Sequence, residues 1–149
     1  MVFRNKMRYS KEKLREIYDR TTGYCHICHK KLAFKNYGSL GTRGAWEVEH
    51  SKPRAKGGSN YLKNLYPACI SCNRSKGKKS NQSVRAKHGI RRAPLSKERR
   101  KKAKRANAFS DGLVGAGLGY IFGPVGALVV GIVGAKRGYD KNPDKDDYI

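Results

Sequence analysis

Apolar positions are sparse in the first part of the chain, and where they recur they do so at two different periods. Leu14, Ile17 and Tyr18 fall at i, i+3 and i+4, the spacing of one helix face. Ser10 stands where an N-cap side chain would accept from the first turn, and Gly23 ends the run. A short helix is predicted between them. The stretch Trp46-Glu47-Val48-Glu49-His50 instead alternates. Period two predicts a strand with Trp46 and Val48 on one face and Glu47 and Glu49 on the other. Residues 30–45 are turn-rich, with Gly38, Gly41 and Gly44, and are expected to hold a strand start followed by a loop. Pro53, Gly57 and Gly58 make the next loop, residues 60–65 read as a turn with little room for regular structure, and a helix is expected to start near Cys72.

Beyond Lys76 the pattern changes twice. Residues 76–105 are rich in Lys and Arg, densest at Arg91-Arg92 and at 99–105, with almost nothing apolar to bury. Such a segment predicts a tether, disordered or helical on contact, that lies along a phosphate backbone or an anionic leaflet. Residues 112–135 then carry no charge, and Gly115, Gly119, Gly123, Ala127, Gly131 and Ala135 recur at every fourth position. This row resembles a glycine zipper, in which small residues let helix backbones approach closely. As one helix it would reach about 36 Å at 1.5 Å per residue, enough to cross a bilayer core. Pro124 interrupts it, so a kinked span and a hairpin of two short helices both remain open, as does self-association through the same residues in water. The expected organisation is a domain over 1–79, a basic linker over 80–111, the uncharged segment 112–135 and a charged tail over 136–149.

Charge narrows the class of partner. Lys and Arg outnumber Asp and Glu by 34 to 11, a formal net charge of +23 over 149 residues. That excess concentrates polyanions at the surface, with binding that weakens as salt rises. A nucleic acid is the expected partner, and no small-molecule substrate is expected. Arg4, Lys6 and Arg8 are followed by no apolar h-region, so residence inside a cell is expected, cytoplasmic or attached to a membrane or virion through the C-terminal segment.

The four cysteines come as Cys25-His-Ile-Cys28 and Cys69-Ile-Ser-Cys72. A two-residue gap lets both thiolates of a pair address one ion from a tight turn, which is zinc spacing. A disulfide framework is the competing reading, and it suits secreted chains better. Four sulfurs close the tetrahedron, so the expected Zn²⁺ is structural. His26 and His29 flank the first pair as alternative ligands.

Taken in order, the first CxxC, Glu49-His50, Pro53, Gly57-Gly58, Asn64-Leu65 and Cys69-Ile-Ser-Cys72-Asn73 with Lys76 resemble the HNH endonuclease family in its zinc-stapled form. The resemblance covers roughly residues 14–79, in an HNN variant with Asn73 at the third signature position. It implies an α+β, ββα-metal fold, and hydrolysis of phosphodiester bonds in DNA. It further implies that Glu49 and Asn73 hold a catalytic divalent ion, Mg²⁺ or Mn²⁺, which suit such oxygen donors. His50 would be the general base, since an imidazole titrates near neutrality and accepts a proton from water. Asn64 would brace the loop and orient the His50 ring. Lys52, Arg54, Lys56, Arg74 and Lys76 are the candidate phosphate contacts. Because neighbours on a strand point to opposite faces, Glu49 and His50 require a twist or bulge at the strand end to address one phosphate. The rival reading is a noncatalytic zinc-binding nucleic-acid or packaging module.

Overall fold

The computed structural model describes residues 9–119, 121 and 123–144, so Arg4, Lys6 and Arg8 lie outside the described residues. The chain divides into two compact units, the first reaching Lys97 and the second running from Glu98 to Lys145. In the first unit the order is α1 (Lys11–Asp19), β1 (Trp46–His50), β2 (Leu65–Cys69), α2 (Ile70–Lys76) and α3 (Asn81–Ala86), with short 3-10 turns at Phe34–Asn36, Arg54–Lys56 and Leu62–Asn64. It is an α+β unit with a small two-stranded sheet.

α1 forms for the reasons its sequence states. Ser10 Oγ accepts from Lys13 N at 3.2 Å, and Leu14 and Ile17 are buried. One turn on, the Tyr18 hydroxyl donates to Leu32 O at 2.6 Å, and the Tyr18 ring lies 5.4 Å from that of Trp46. Trp46 is fully buried, edge-on to Tyr37 and beside Phe34, with its indole N–H donating to Phe34 O at 3.2 Å. This aromatic cluster continues into Leu65, Ala68, Ile27 and Leu32 as the core.

β1 and β2 pair antiparallel, from Trp46 opposite Cys69 to His50 opposite Leu65. The register is regular to its end, so the expected bulge is not there. The residue pattern did not read β2, because Pro67 has no N–H for a ladder. Its carbonyl is what the fold uses, accepting from His26 N at 3.0 Å. α2 then starts at Ile70 rather than near Cys72, with Cys69 as its extended N-cap.

The structure corrects the expected boundary at residue 79. Val84 and Ile90 are buried, and Val84 belongs to the main core. Ser80 caps α3 by accepting from Ser83 N at 3.2 Å, and Thr22 Oγ1 donates to Leu95 O at 2.9 Å. Residues 80–96 are therefore a strap on the first unit and not a tether. Two apolar side chains in a basic run suffice to anchor it.

The second unit is two helices, α4 (Lys97–Gly119) and α5 (Gly123–Asp140). The basic run 97–105 is the first part of α4. The continuous helix through 112–135 is not present: the two helices end and begin on either side of a break, with Gly123 at φ +82°. Among the described residues no helix is long and apolar enough to cross a membrane. The two helices run antiparallel at backbone contact. A Cβ on Gly115 would stand 2.5 Å from Val130 O, and one on Gly119 2.5 Å from Gly126 O. Lys141 pairs with Asp111 at 2.6 Å, and Arg100 with Asp144.

Candidate active site and metal centre

The two CxxC turns meet. The Sγ atoms of Cys25, Cys28, Cys69 and Cys72 all lie within 4.8 Å of one another, and all four are free thiols. Cys28 Sγ stands 3.8 Å from Cys69 Sγ. A tetrahedron with Zn–S bonds of about 2.3 Å has edges of about 3.8 Å, so the donor set fits zinc. Crowding splits the thiols. Hydrogen bonding to Cys25 pulls Cys28 down to about 7 and Cys69 lower still, while Cys25, held by Cys28, and Cys72, held by Cys25, are pushed up. Deprotonation is thus already favoured at part of the cluster, as a zinc ligand requires. Neither neighbouring histidine joins the set: His29 Nε2 lies 2.8 Å from Arg92 O, and His26 Nε2 lies against Glu49.

His26 is completely buried and stacked on Tyr66 at 5.0 Å. Its Nδ1 takes a 2.9 Å hydrogen bond from Arg85, a residue of α3 that also donates to His26 O at 2.8 Å. Arginine only donates, so the imidazole proton sits on Nε2. That atom stands 2.8 Å from Glu49 Oε2, off the line of a good hydrogen bond. The other Glu49 oxygen lies 2.6 Å from Lys76 Nζ. Burial pushes the His26 imidazole below its ordinary value, against the pull of Glu49. Burial alone would raise the Glu49 carboxyl, but His26 and Lys76 outweigh it and hold it below its ordinary value.

This arrangement corrects two expectations. Lys76 is 1% exposed and donates to His50 O at 3.1 Å, so it is a buried brace of the strand end and not a phosphate contact. Glu49 is 3% exposed and its two oxygens lie against Lys76 and His26, so although it lines the same cleft as Asn73 it is not free there as a shared ligand. Removing one partner strands the other charge in the interior. Lys76→Met or Glu49→Leu alone is expected to cost about 3–5 kcal/mol, whereas the double replacement recovers most of that loss. Urea unfolding of the zinc-loaded protein measures it, and additive losses would mean that the pair is not coupled. The sign with pH is fixed too: the Glu49 contribution is present above its ordinary carboxyl value of 4.5 and is lost as pH falls through its depressed folded value.

The carboxylate that meets Asn73 is Glu47. Asn73 Nδ2 donates to Glu47 Oε2 at 2.8 Å, and Arg74 approaches the other oxygen at 3.9 Å. An open cleft of about 420 Å³ gathers Glu47, His50, Asn73 and Arg54 with Tyr9 and Tyr37. His50 enters it from the end of β1, in place of the bulge. The Asn73 amide thus meets the Glu47 carboxylate through its nitrogen, with both residues at the same cleft.

Asn64 is buried and holds the loop as expected: Oδ1 accepts from Lys52 N at 2.7 Å, and Nδ2 donates to Ser59 O at 2.8 Å. The loop closes tightly enough that a Cβ on Gly58 would overlap the Lys52 carbonyl oxygen. Asn64 does not reach the His50 ring, however. That contact belongs to Asn60, whose Oδ1 lies 2.9 Å from His50 Nε2. Because an amide oxygen only accepts, Nε2 carries the proton and Nδ1 keeps its lone pair. Lys52, Arg54 and Lys56 are exposed on this loop, and Arg74 on α2.

Residues 25–79 match the family model of the HNH endonucleases, a span from the first zinc cysteine to just past Lys76. No curated protein and no solved structure matches the chain. The family-level likeness is to nucleases that act on nucleic acid, and the cysteine cluster falls within the matched span.

Proposed function

We propose that this protein is a metal-dependent endonuclease that hydrolyses phosphodiester bonds in double-stranded DNA. One observation carries the reading: a single open cleft brings His50 together with Glu47 and the Asn73 side chain that donates to it, inside the span similar to HNH endonucleases. His50, with Nε2–H held by Asn60, accepts the proton of the attacking water at Nδ1. Glu47 would hold Mg²⁺ or Mn²⁺ together with Asn73, once the Asn73 amide turns its oxygen toward the ion, and Glu47 takes the part that the sequence resemblance gave to Glu49. When bound, the ion supplies positive charge to the developing phosphorane and the leaving oxygen. Arg54 and Arg74 at the cleft, with Lys52 and Lys56 on its loop, draw in the phosphate backbone.

The deciding experiment compares Glu47→Ala with the parent protein on supercoiled plasmid across a Mg²⁺ titration. Cleavage is expected to need added Mg²⁺ and to stop with EDTA. Glu47→Ala is expected to raise the Mg²⁺ required by about tenfold or more, the scale on which losing a metal-site group acts. An unchanged Mg²⁺ requirement would return the ligand role to another group. DNA binding without cleavage by the parent would instead support the noncatalytic module.

A further inference from the structure

The second unit exposes more large apolar surface than a soluble helical hairpin ordinarily leaves uncovered. Leu113, Val114, Leu118, Leu128, Val129 and Ile132 are all more than half exposed, and Ile121 between the helices is 80% exposed. They do not form one stripe. Leu113 and Val114 are neighbours, so they point about 100° apart around α4, and Leu128 with Val129 repeat this on α5. On one side an apolar groove of about 580 Å³ runs between the helices, lined by Phe109, Leu113, Leu128 and Ile132. The face each helix turns to the other is already filled by the close backbone contacts at Gly115 and Gly119. What remains exposed surrounds the hairpin.

Charge is partitioned along the same axis. Residues 112–135 have none, and charge resumes at Asp111 on α4 and at Lys136 on α5. Lys101, Lys102, Arg105, Lys136 and Arg137 are exposed on the open end of the hairpin. The uncharged part of α4 extends about 12 Å and that of α5 about 20 Å at 1.5 Å per residue. Those lengths match one leaflet, about half of a 30 Å hydrocarbon core, and not a full crossing.

We propose that the hairpin enters one leaflet of an anionic bilayer tip first, with its basic end in the headgroup layer. A second copy would cover one flank and leave the other wet, whereas acyl chains cover all of them. Within hydrocarbon, where helices gain nothing from mutual apolar burial, the close small-residue contacts keep α4 and α5 together. The basic end adds attraction to acidic headgroups.

The test uses the full-length zinc-loaded protein and vesicles of phosphatidylcholine with or without phosphatidylglycerol. Flotation is expected with the anionic vesicles. It should persist in about 1 M salt, where the screening length falls to roughly 3 Å. Release of all protein at that salt would mean electrostatic adsorption only and would overturn the proposal. The double variant Leu128→Asp/Ile132→Asp alters only exposed positions and is expected to bind about tenfold or more weakly, with helix content by circular dichroism unchanged. Equal binding by that variant would also overturn the proposal. Ile121→Trp adds a tip fluorophore that acyl-brominated lipid is expected to quench, while the buried Trp46 of the parent is not. A discrete dimer that ignores vesicles would assign the apolar surface to a second copy instead.

Discussion

Removing zinc from the four-cysteine cluster is expected to unfold the first unit. The cysteine pairs at 25–28 and 69–72 tie the loop before β1 to the junction of β2 and α2, and Cys25 and Cys72 are themselves core residues. That core is small, and its remaining apolar members are few enough that metal must supply much of the stability. Structural zinc contributes roughly 10–16 kcal/mol of apparent binding free energy in small domains, against a total stability of about 5–15 kcal/mol. Chelation, or Cys72→Ser, is therefore expected to abolish the near-ultraviolet dichroism of Trp46, which depends on the packed rings of Tyr18, Phe34 and Tyr37. Freshly purified protein should hold one zinc per chain by elemental analysis. A metal-free chain that keeps the Trp46 signal would show that the thiol cluster is incidental to the fold.

His50→Ala is the second large effect. A positioned general base contributes about 10²–10⁴-fold to a proton-transfer step, and His50 contributes its side chain to no core contact, since its ring faces the cleft and Asn60. Plasmid cleavage should fall by that factor while zinc content, Trp46 dichroism and DNA affinity stay nearly constant. Asn60→Ala should produce a smaller loss of the same kind, because the ring remains but its tautomer and angle are no longer held. If affinity falls in step with cleavage in His50→Ala, the histidine is part of the binding surface or the frame.

What could be read in the chain and what could not divide along physical lines. The convergence of the four cysteines was legible because thiols at paired spacing leave few other uses. α1 was legible from one cap and three apolar residues, and β1 from its alternation. The identity of the cleft carboxylate was not. Glu47 and Glu49 share a strand face by period two, and the choice between them is made by Lys76 and His26, which only the folded chain brings to Glu49. The same holds for Asn60 and Asn64, four positions apart in one loop, where the closeness of Gly58 to Lys52 decides which amide faces inward. The strap over 80–96 was missed because its basic residues mask two buried anchors, and Arg85 is recognisable as part of the frame only once the His26 carbonyl is in place to receive it.

The buried brace also sets an order of events during synthesis. A ribosome delivers residues from the N-terminus onward, so His50 and its cationic loop emerge before β2, before the second cysteine pair, before Lys76 and before Arg85. Asn60 and Lys76, which hold the His50 ring and carbonyl, and the second half of the metal centre all arrive later than His50 itself. A growing chain at that stage presents an imidazole with no rigid aim, and a product truncated before α2 never acquires one. On the proposed reading, competence to cut would be a property of the finished first unit, and the timing of its appearance would be written into the order of the segments along the chain.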